Sequence, residues 1–339
     1  MLKYFFILSV PFLFLLSCNN HKTKIGEDIL NDSTLSIEHL DKLIRENPNN
    51  AKFYLKRSEL YLAKEKNIEK AILDMETALR VDTTMQEVYI KLADLYLANA
   101  NSEMSKKVLE RCLKRYPFNV DARIDLAKIY FYVQMYQEAM SEILKIEANN
   151  LQNTDSYFVK ALILNETFAY QDAITALKKS IDYDNKNWEA YNLIGMIYAK
   201  LDDSLALDFY KTAASLFPEN DEVQFNSAWV HQQFGELTKA IEFYDNAISI
   251  DSSYYEAYYN AGFIYANDLK DYFKAIDYFS KAIACDPFSH KAWYNRGYSY
   301  EQTSQLKLAE EDYRQSLKIH PNYEPAVEGI NIVIDKQRK

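Results

Sequence analysis

His21, His39, His231, His290 and His320 are the side chains best suited to general-base or metal-ligand work near neutral pH. They are scattered, with no HExxH or paired-ligand spacing. The six glycines build neither a phosphate loop nor a dinucleotide turn, and no two of the abundant carboxylates stand out as an acid/base pair. No catalytic residue, metal site or cofactor is therefore expected, and the chain reads as a non-enzyme. What does recur is a combination of rings and amides. Phe225, Asn226 and Trp229, then Tyr259, Asn260 and Phe263, then Tyr294, Asn295 and Tyr298 each place two aromatics four residues apart, with an asparagine after the first. That spacing puts both rings on one helix face. Tyr and Trp are the usual affinity anchors of protein interfaces. An amide offers two donors and an acceptor, enough to hold a peptide backbone without reading its sequence. These nine residues are the candidate partner-binding site.

The element that positions them is clearest from Tyr255 to Ser289. With Tyr255 as position 1, Tyr258, Ala261, Gly262 and Tyr265 fall at 4, 7, 8 and 11 and share a helix face. After a turn around Lys270 and Asp271, the spacing returns in Ala275, Phe279 and Ala282. Pro287 then ends the second helix. Small residues stand where the two helices cross closely, and aromatics fill the space beside them.

This helical hairpin resembles the tetratricopeptide repeat, a 34-residue helix–turn–helix. The same frame places eight units at 51–85, 86–119, 120–153, 154–187, 188–220, 221–254, 255–289 and 290–323, with one extra residue in the first and seventh and one missing in the fifth. Position 4 is aromatic in Tyr54, Tyr89, Tyr157, Tyr191, Tyr258 and Trp293, but not at Arg123 or Gln224. Position 20 is small throughout: Ala71, Ser105, Ala139, Ala173, Ala206, Ala240, Ala275 and Ala309. Of the seven prolines, Pro48, Pro117, Pro218, Pro287 and Pro321 all close a second helix. The resemblance implies an all-α fold, a right-handed α-solenoid of tandem hairpins. It also implies that positions 2, 5, 6, 9, 12 and 13 line the concave side, which the nine candidate residues would then share. The asparagines are similar to the ladder in the repeat arm of O-GlcNAc transferase, whereas the Lys and Asn pattern of the chaperone carboxylate clamp is missing, Phe225 and Trp229 taking its place. The competing reading is that the rings only pack between repeats. Position 2 is acidic in Glu87, Asp121, Asp155, Glu189, Glu222 and Glu256. A carboxylate opening a helix is favoured by the dipole by roughly 0.3–1 kcal/mol, so this row is read as structural first.

Residues 1–17 carry one lysine and a run of about a dozen mostly apolar residues, shorter than the ~20 a spanning helix needs. They read as a secretory signal. Its end, Leu15-Leu16-Ser17-Cys18, resembles the bacterial lipobox, which implies cleavage and lipid attachment at Cys18, with the palmitate-type chains of a processed lipoprotein. Asn19 is not the aspartate associated with inner-membrane retention, so the cell outer membrane is the expected destination. Residues 18–34 are polar and aperiodic, a flexible tether. Residues 35–50 regain helical period in Ile37, Leu40, Leu43 and Ile44 as an N-terminal cap. Residues 324–339 form a C-terminal cap and tail, with Val327, Ile330, Val333 and Ile334 as the apolar face and a solvated basic end from Lys336.

With 48% hydrophobic residues and no Pro/Gly/Ser-rich linker, the 339 residues read as one continuous array. The net charge is −10, and −11 without the signal, whose one charged residue is Lys3. This argues against nucleic acid, whose phosphates require clustered Lys and Arg, and against lying flat on anionic lipid. Cys112 and Cys285, five units apart, cannot reach the ~7 Å Cα limit of a disulfide and read as small buried residues.

These features lead to a lipid-anchored, non-catalytic scaffold of the cell envelope that binds a protein or peptide partner on its concave face. An accessory subunit of an exported-polysaccharide or cell-wall system, stacking sugar on the same rings, is the alternative. The two differ in their dependence on Asn260 and Asn295.

Overall fold

The computed structural model describes residues 35–338, so the signal, the tether and Cys18 lie outside the described residues. Eighteen α-helices follow one another in these residues without a strand, in two compact units divided after Leu151. The fold is an α-solenoid.

The first unit contains α1 (Ile37–Glu46), α2 (Ala51–Leu60), α3 (Ile68–Val81), α4 (Gln86–Ala98), α5 (Ser102–Arg115), α6 (Val120–Tyr132) and α7 (Tyr136–Ala148). Helix α1 lays Leu40 and Ile44 against Phe53 and closes the hairpin α2–α3. The second unit contains α8 (Thr154–Glu166), α9 (Tyr170–Tyr183), α10 (Trp188–Lys200), α11 (Leu205–Leu216), α12 (Asp221–Gln233), α13 (Leu237–Ile250), α14 (Tyr255–Phe263), α15 (Tyr272–Cys285), α16 (His290–Gln302), α17 (Leu306–Ile319) and α18 (Glu324–Gln337).

Local chemistry sets the helix ends. Asparagines open most first helices of a hairpin: Asn119 Oδ1 accepts from the Ala122 N–H at 2.8 Å, and Asn187 and Asn220 do the same for Ala190 and Val223. The acidic row sits one step inside, from Glu87 to Glu256, in the first turns where the dipole favours it. Each hairpin turn is closed by one residue with positive φ, and only Gly235 is a glycine. Lys66, Ala100, Gln134, Phe168, Asp202, Lys270 and Ser304 hold φ between 51° and 63°. The next N–H then reaches far back into the first helix, as Asn101 does to the Tyr96 carbonyl at 2.8 Å, satisfying a carbonyl the helix end leaves free.

Insertions leave visible marks. The first and seventh hairpins carry short π-helical turns, Tyr61–Glu65 after α2 and Ile264–Asp268 after α14, the usual way for a helix to absorb an added residue. In the fifth, α11 is shorter than the other second helices of the second unit, and its cap Ser204 makes no side-chain bond.

Helix α18 keeps most of the expected apolar face inward, with Ile330, Val333 and Ile334, but adds Ala326 and Gly329 to it in place of Val327. Ala326, Gly329 and Val333 are buried with Ile330 beside them, while Val327 is 43% exposed. The ring of Tyr313 lies so close that a Cβ on Gly329 would come within 2.6 Å of it, so the smallest side chains had to face inward. Nor is the basic end merely solvated. Lys336 Nζ lies 2.9 Å from Oε1 of Glu301, a buried carboxylate that also accepts from the Tyr313 hydroxyl at 2.8 Å. Cys285 is half-buried with its Sγ toward the Ser252 carbonyl, so only Cys112 is the fully buried residue expected; both are free thiols.

Candidate partner-binding face

The nine candidate residues lie on α12, α14 and α16, and the second unit contains all three helices. Their ring and amide positions divide into three kinds of environment.

At position 5 the rings are half-buried and packed against other rings. Phe225 stacks on Tyr254 with centroids 5.0 Å apart and tilts against Tyr244 at 5.6 Å. Tyr259 lies against Tyr255 and Phe279, both at 5.8 Å. Tyr294 meets Tyr313 at 5.6 Å and Tyr323 edge-on at 5.3 Å. Burial pushes the Tyr259 hydroxyl up to about 12, and it raises that of Tyr294 as well. These rings cement one helix to the next.

At position 6 two of the three amides are partly committed. Asn295 Nδ2 donates to the Tyr259 hydroxyl at 2.9 Å, tying α16 to α14. Asn260 Nδ2 donates to the Tyr244 hydroxyl at 3.2 Å, and that hydroxyl donates onward to Gln232 at 2.8 Å. Each amide keeps its carbonyl oxygen and a second N–H for another partner.

At position 9 two of the three rings face water. Trp229 is 37% exposed and Phe263 38% exposed, on helices whose Ala228, Val230, Ala257 and Ala261 are buried. Tyr298 is half-buried, edge-on to Tyr272 at 6.1 Å. The indole N–H of Trp229 makes no hydrogen bond among the described residues. Two large rings showing a third of their surface offer area that a partner can cover, whereas the position-5 rings are partly covered by neighbouring rings.

The second unit also holds the arrangement closest to acid/base chemistry. His231 Nδ1 lies 2.8 Å from Glu236 Oε2, with the imidazole stacked on Phe243 at 5.1 Å. Burial lowers the affinity of His231 for a proton, and the ring is closed off from solvent. Among the described residues no group of three or more His, Cys, Asp or Glu is placed to hold a metal, and no helix is long and apolar enough to cross a membrane.

Two forked, buried ion pairs lie beyond what the repeat frame predicts, besides the single contact of Arg123 with Glu142 at 2.6 Å. In the first hairpin Arg57 grips Asp74 with Nε–Oδ2 2.7 Å and Nη2–Oδ1 2.6 Å, while Nη1 reaches Asp41 of α1 at 2.6 Å. In the last, Arg296 grips Asp312 in the same forked way at 2.7 and 2.8 Å. The partners are about sixteen residues apart in sequence, on opposite helices of a hairpin. The recurrence of Arg at position 7 in the first and last units is the one sequence signal that could reveal them.

Family models for the tetratricopeptide repeat match residues 86–119, 255–288 and 290–323, and a TPR repeat model matches 230–268. No curated protein matches the chain in sequence. Among solved structures, the C-terminal part of a TPR repeat-containing protein from Cytophaga hutchinsonii superposes with a TM-score of 0.60 at 16% identity, over 71% of this chain and 99% of that one. The APC/C hetero-tetramer Cut9–Hcn1 superposes with a TM-score of 0.51 at 17% identity, over 94% of this chain and 63% of that one. At these identities the likeness is one of fold. Together the matched segments and the stacked hairpins establish that the chain carries tetratricopeptide repeats.

Proposed function

We propose that this protein is a non-catalytic scaffold that docks a protein or peptide partner on the position-9 face of its second unit. The observation that carries the reading is the exposure of Trp229 and Phe263 on helices whose other apolar residues are buried or half-buried. Tetratricopeptide repeats commonly serve protein–protein interaction, which is consistent with it. Rings at position 9 supply the affinity, and the remaining amide valences of Asn260 and Asn295 hold a peptide main chain beside them. Phe225, Tyr259 and Tyr294 support that face from below, while Asn226 and Tyr298 border it.

The proposal extends to the cell envelope through Cys18, as a lipid-anchored protein of the outer membrane. Its support is the sequence Leu15-Leu16-Ser17-Cys18 after an apolar run. Cys18→Ala should release the exported protein from the membrane fraction. Fractionation with membranes as in wild type would remove the anchor from the account. For the docking face, Trp229→Ala should weaken partner binding by about 2 kcal/mol with little dependence on salt. Unchanged affinity in a folded variant would move the site elsewhere.

A further inference from the structure

The first unit contains a groove whose chemistry is unlike anything on the candidate face. Between α3 and α5 lies a cavity of about 890 Å³ with the ring of Tyr89 in its lining, and four cations around it: Arg80, Arg111, Lys114 and Arg115. None of the four makes an ion pair with a carboxylate among the described residues. Arg80 donates to the Thr77 hydroxyl at 3.0 Å, Arg115 donates to the Tyr116 hydroxyl at 3.1 Å, and Arg111 rests over the Tyr89 ring at 5.3 Å. The one carboxylate in the lining, Glu76, already accepts from the Tyr96 hydroxyl at 2.6 Å. In a chain of net charge −10, four cations around one cavity, of which only Arg115 feels a nearby carboxylate outside the lining, Asp82, are a concentration of the minority charge.

Helix dipoles account for part of this, since Arg80, Lys114 and Arg115 occupy last turns where a cation is favoured. Arg111 lies a turn earlier and gains nothing from that effect. The second unit provides an internal control, because repeat geometry builds the same groove between α11 and α13, with a volume of about 460 Å³. There Asn246, Ser249 and Ile250 stand where Arg111, Lys114 and Arg115 do, and Ser215 stands for Arg80. The groove is generic to the fold, and the charge is particular to this one.

We propose that the α3–α5 groove binds a compact, multiply charged phosphate ligand, of the class of a diphosphate- or triphosphate-bearing small molecule. Its volume falls in the range of small-molecule sites, roughly 300–1,000 Å³. Arg111, Lys114 and Arg115 are three and four residues apart, so they converge on a patch about 6 Å across. A polyphosphate packs its charge into that span, whereas an extended acidic peptide spaces like-facing carboxylates about 7 Å apart. Guanidinium forks match phosphate oxygens in pairs. The site is separate from the docking face and does not depend on it.

The test is isothermal titration calorimetry of the full chain with inorganic tripolyphosphate at low salt. Saturable binding at one site is expected, weakened about 100-fold in Arg111→Gln/Lys114→Gln, or tenfold for each charge-assisted hydrogen bond removed. The last-turn variant Lys114→Gln/Arg115→Gln leaves the Tyr89 ring and Arg111 in place and should weaken binding to a comparable degree. Lys211→Gln, in the equivalent groove of the second unit, should bind as wild type. Absence of binding, or binding that survives both double variants, overturns the proposal. So does equal affinity for hexaglutamate, which would make the groove a reader of charge alone. Recruitment to phosphatidylglycerol vesicles without tripolyphosphate binding would overturn it in favour of a membrane surface.

Discussion

The two units stack the same hairpin around different side chains. Where the helices of a hairpin cross in the first unit, Ser58, Ala93 and Ala127 at position 8 accompany Met75, Leu109 and Ile143 on the second helix, all buried. In the second unit, after Ala161 and Leu177, the pairs become Gly195 with Tyr210, Ala228 with Tyr244, Gly262 with Phe279 and Gly297 with Tyr313. Volume has moved from one side of the crossing to the other. A ring that fills the crossing leaves no room for a Cβ: one added to Gly195 would lie 2.6 Å from Tyr210. The exchange also brings hydroxyls into a close-packed interior, where each needs a partner. Tyr244 finds Gln232 and Tyr313 finds Glu301, so the second unit is crossed by hydrogen bonds that aliphatic residues cannot make. Its aromatic surplus continues outward to the face that exposes Trp229 and Phe263.

The largest effect should come from a device the units share. Asp312→Ala removes the one carboxylate on Arg296, whose side chain is 17% exposed, and should cost about 3 kcal/mol by chemical denaturation. Asp74→Ala should cost visibly less, because Arg57 keeps Asp41. Equal losses would mean that the two pairs are not distinguished by that third residue. Next is the crossing itself. Gly195→Ala should cost about 2 kcal/mol through overpacking, and Tyr210→Leu in the same chain should recover part of it, since the pair then resembles Ala93 with Leu109. Additive losses in the double-mutant cycle would show that ring and glycine do not compete for space.

The fold was legible because helical period, small residues at crossings and terminal prolines repeat in register. Other features depend on distances that no repeat frame carries. The forked ion pairs Arg57–Asp74 and Arg296–Asp312 join helices at a depth set by the crossing. On α18 the apolar spacing carries Ile330, Val333 and Ile334 but not the place of Gly329, where a Cβ would meet the ring of Tyr313. On the candidate face the spacing of the aromatics was legible, but their division between packing and exposure was not. Whether a ring packs or faces water depends on neighbours such as Tyr254 and Tyr323, which lie at the far end of the same unit, where the chain enters the next helix. The partial capture of Asn260 and Asn295 comes from the preceding unit, through the hydroxyls of Tyr244 and Tyr259.

Smaller effects concern turns and titration. Ala100 holds φ at 55°, a left-handed conformation that favours glycine, and Ala100→Gly should raise stability by about 0.5–1 kcal/mol in thermal unfolding. No gain would mean that the turn tolerates the conformation without strain. Acid should act on the second unit through His231 and His290. Burial lowers both below the ordinary value of 6.5, with His320 and Lys291 adding to the effect at His290. The unfolded chain therefore takes up their protons first. Stability is full above about pH 6.5 and declines as pH falls through the lowered folded values. For His231, Glu236 and Glu242 oppose the shift while Lys239 adds to it, and His231→Gln should flatten part of the decline. An identical pH profile in that variant would assign the sensitivity elsewhere.

The docking face is tested most directly by site-specific photocrosslinking in intact cells. Benzoylphenylalanine in place of Phe263 on the second unit is compared with the same probe in place of Asp94, the position-9 residue of α4 on the first. The expected result is a discrete protein adduct from position 263 that disappears when Trp229→Ala is added, and none from position 94. Equal adducts from both positions, or a position-263 adduct indifferent to Trp229→Ala, would contradict a partner site on the aromatic face of the second unit.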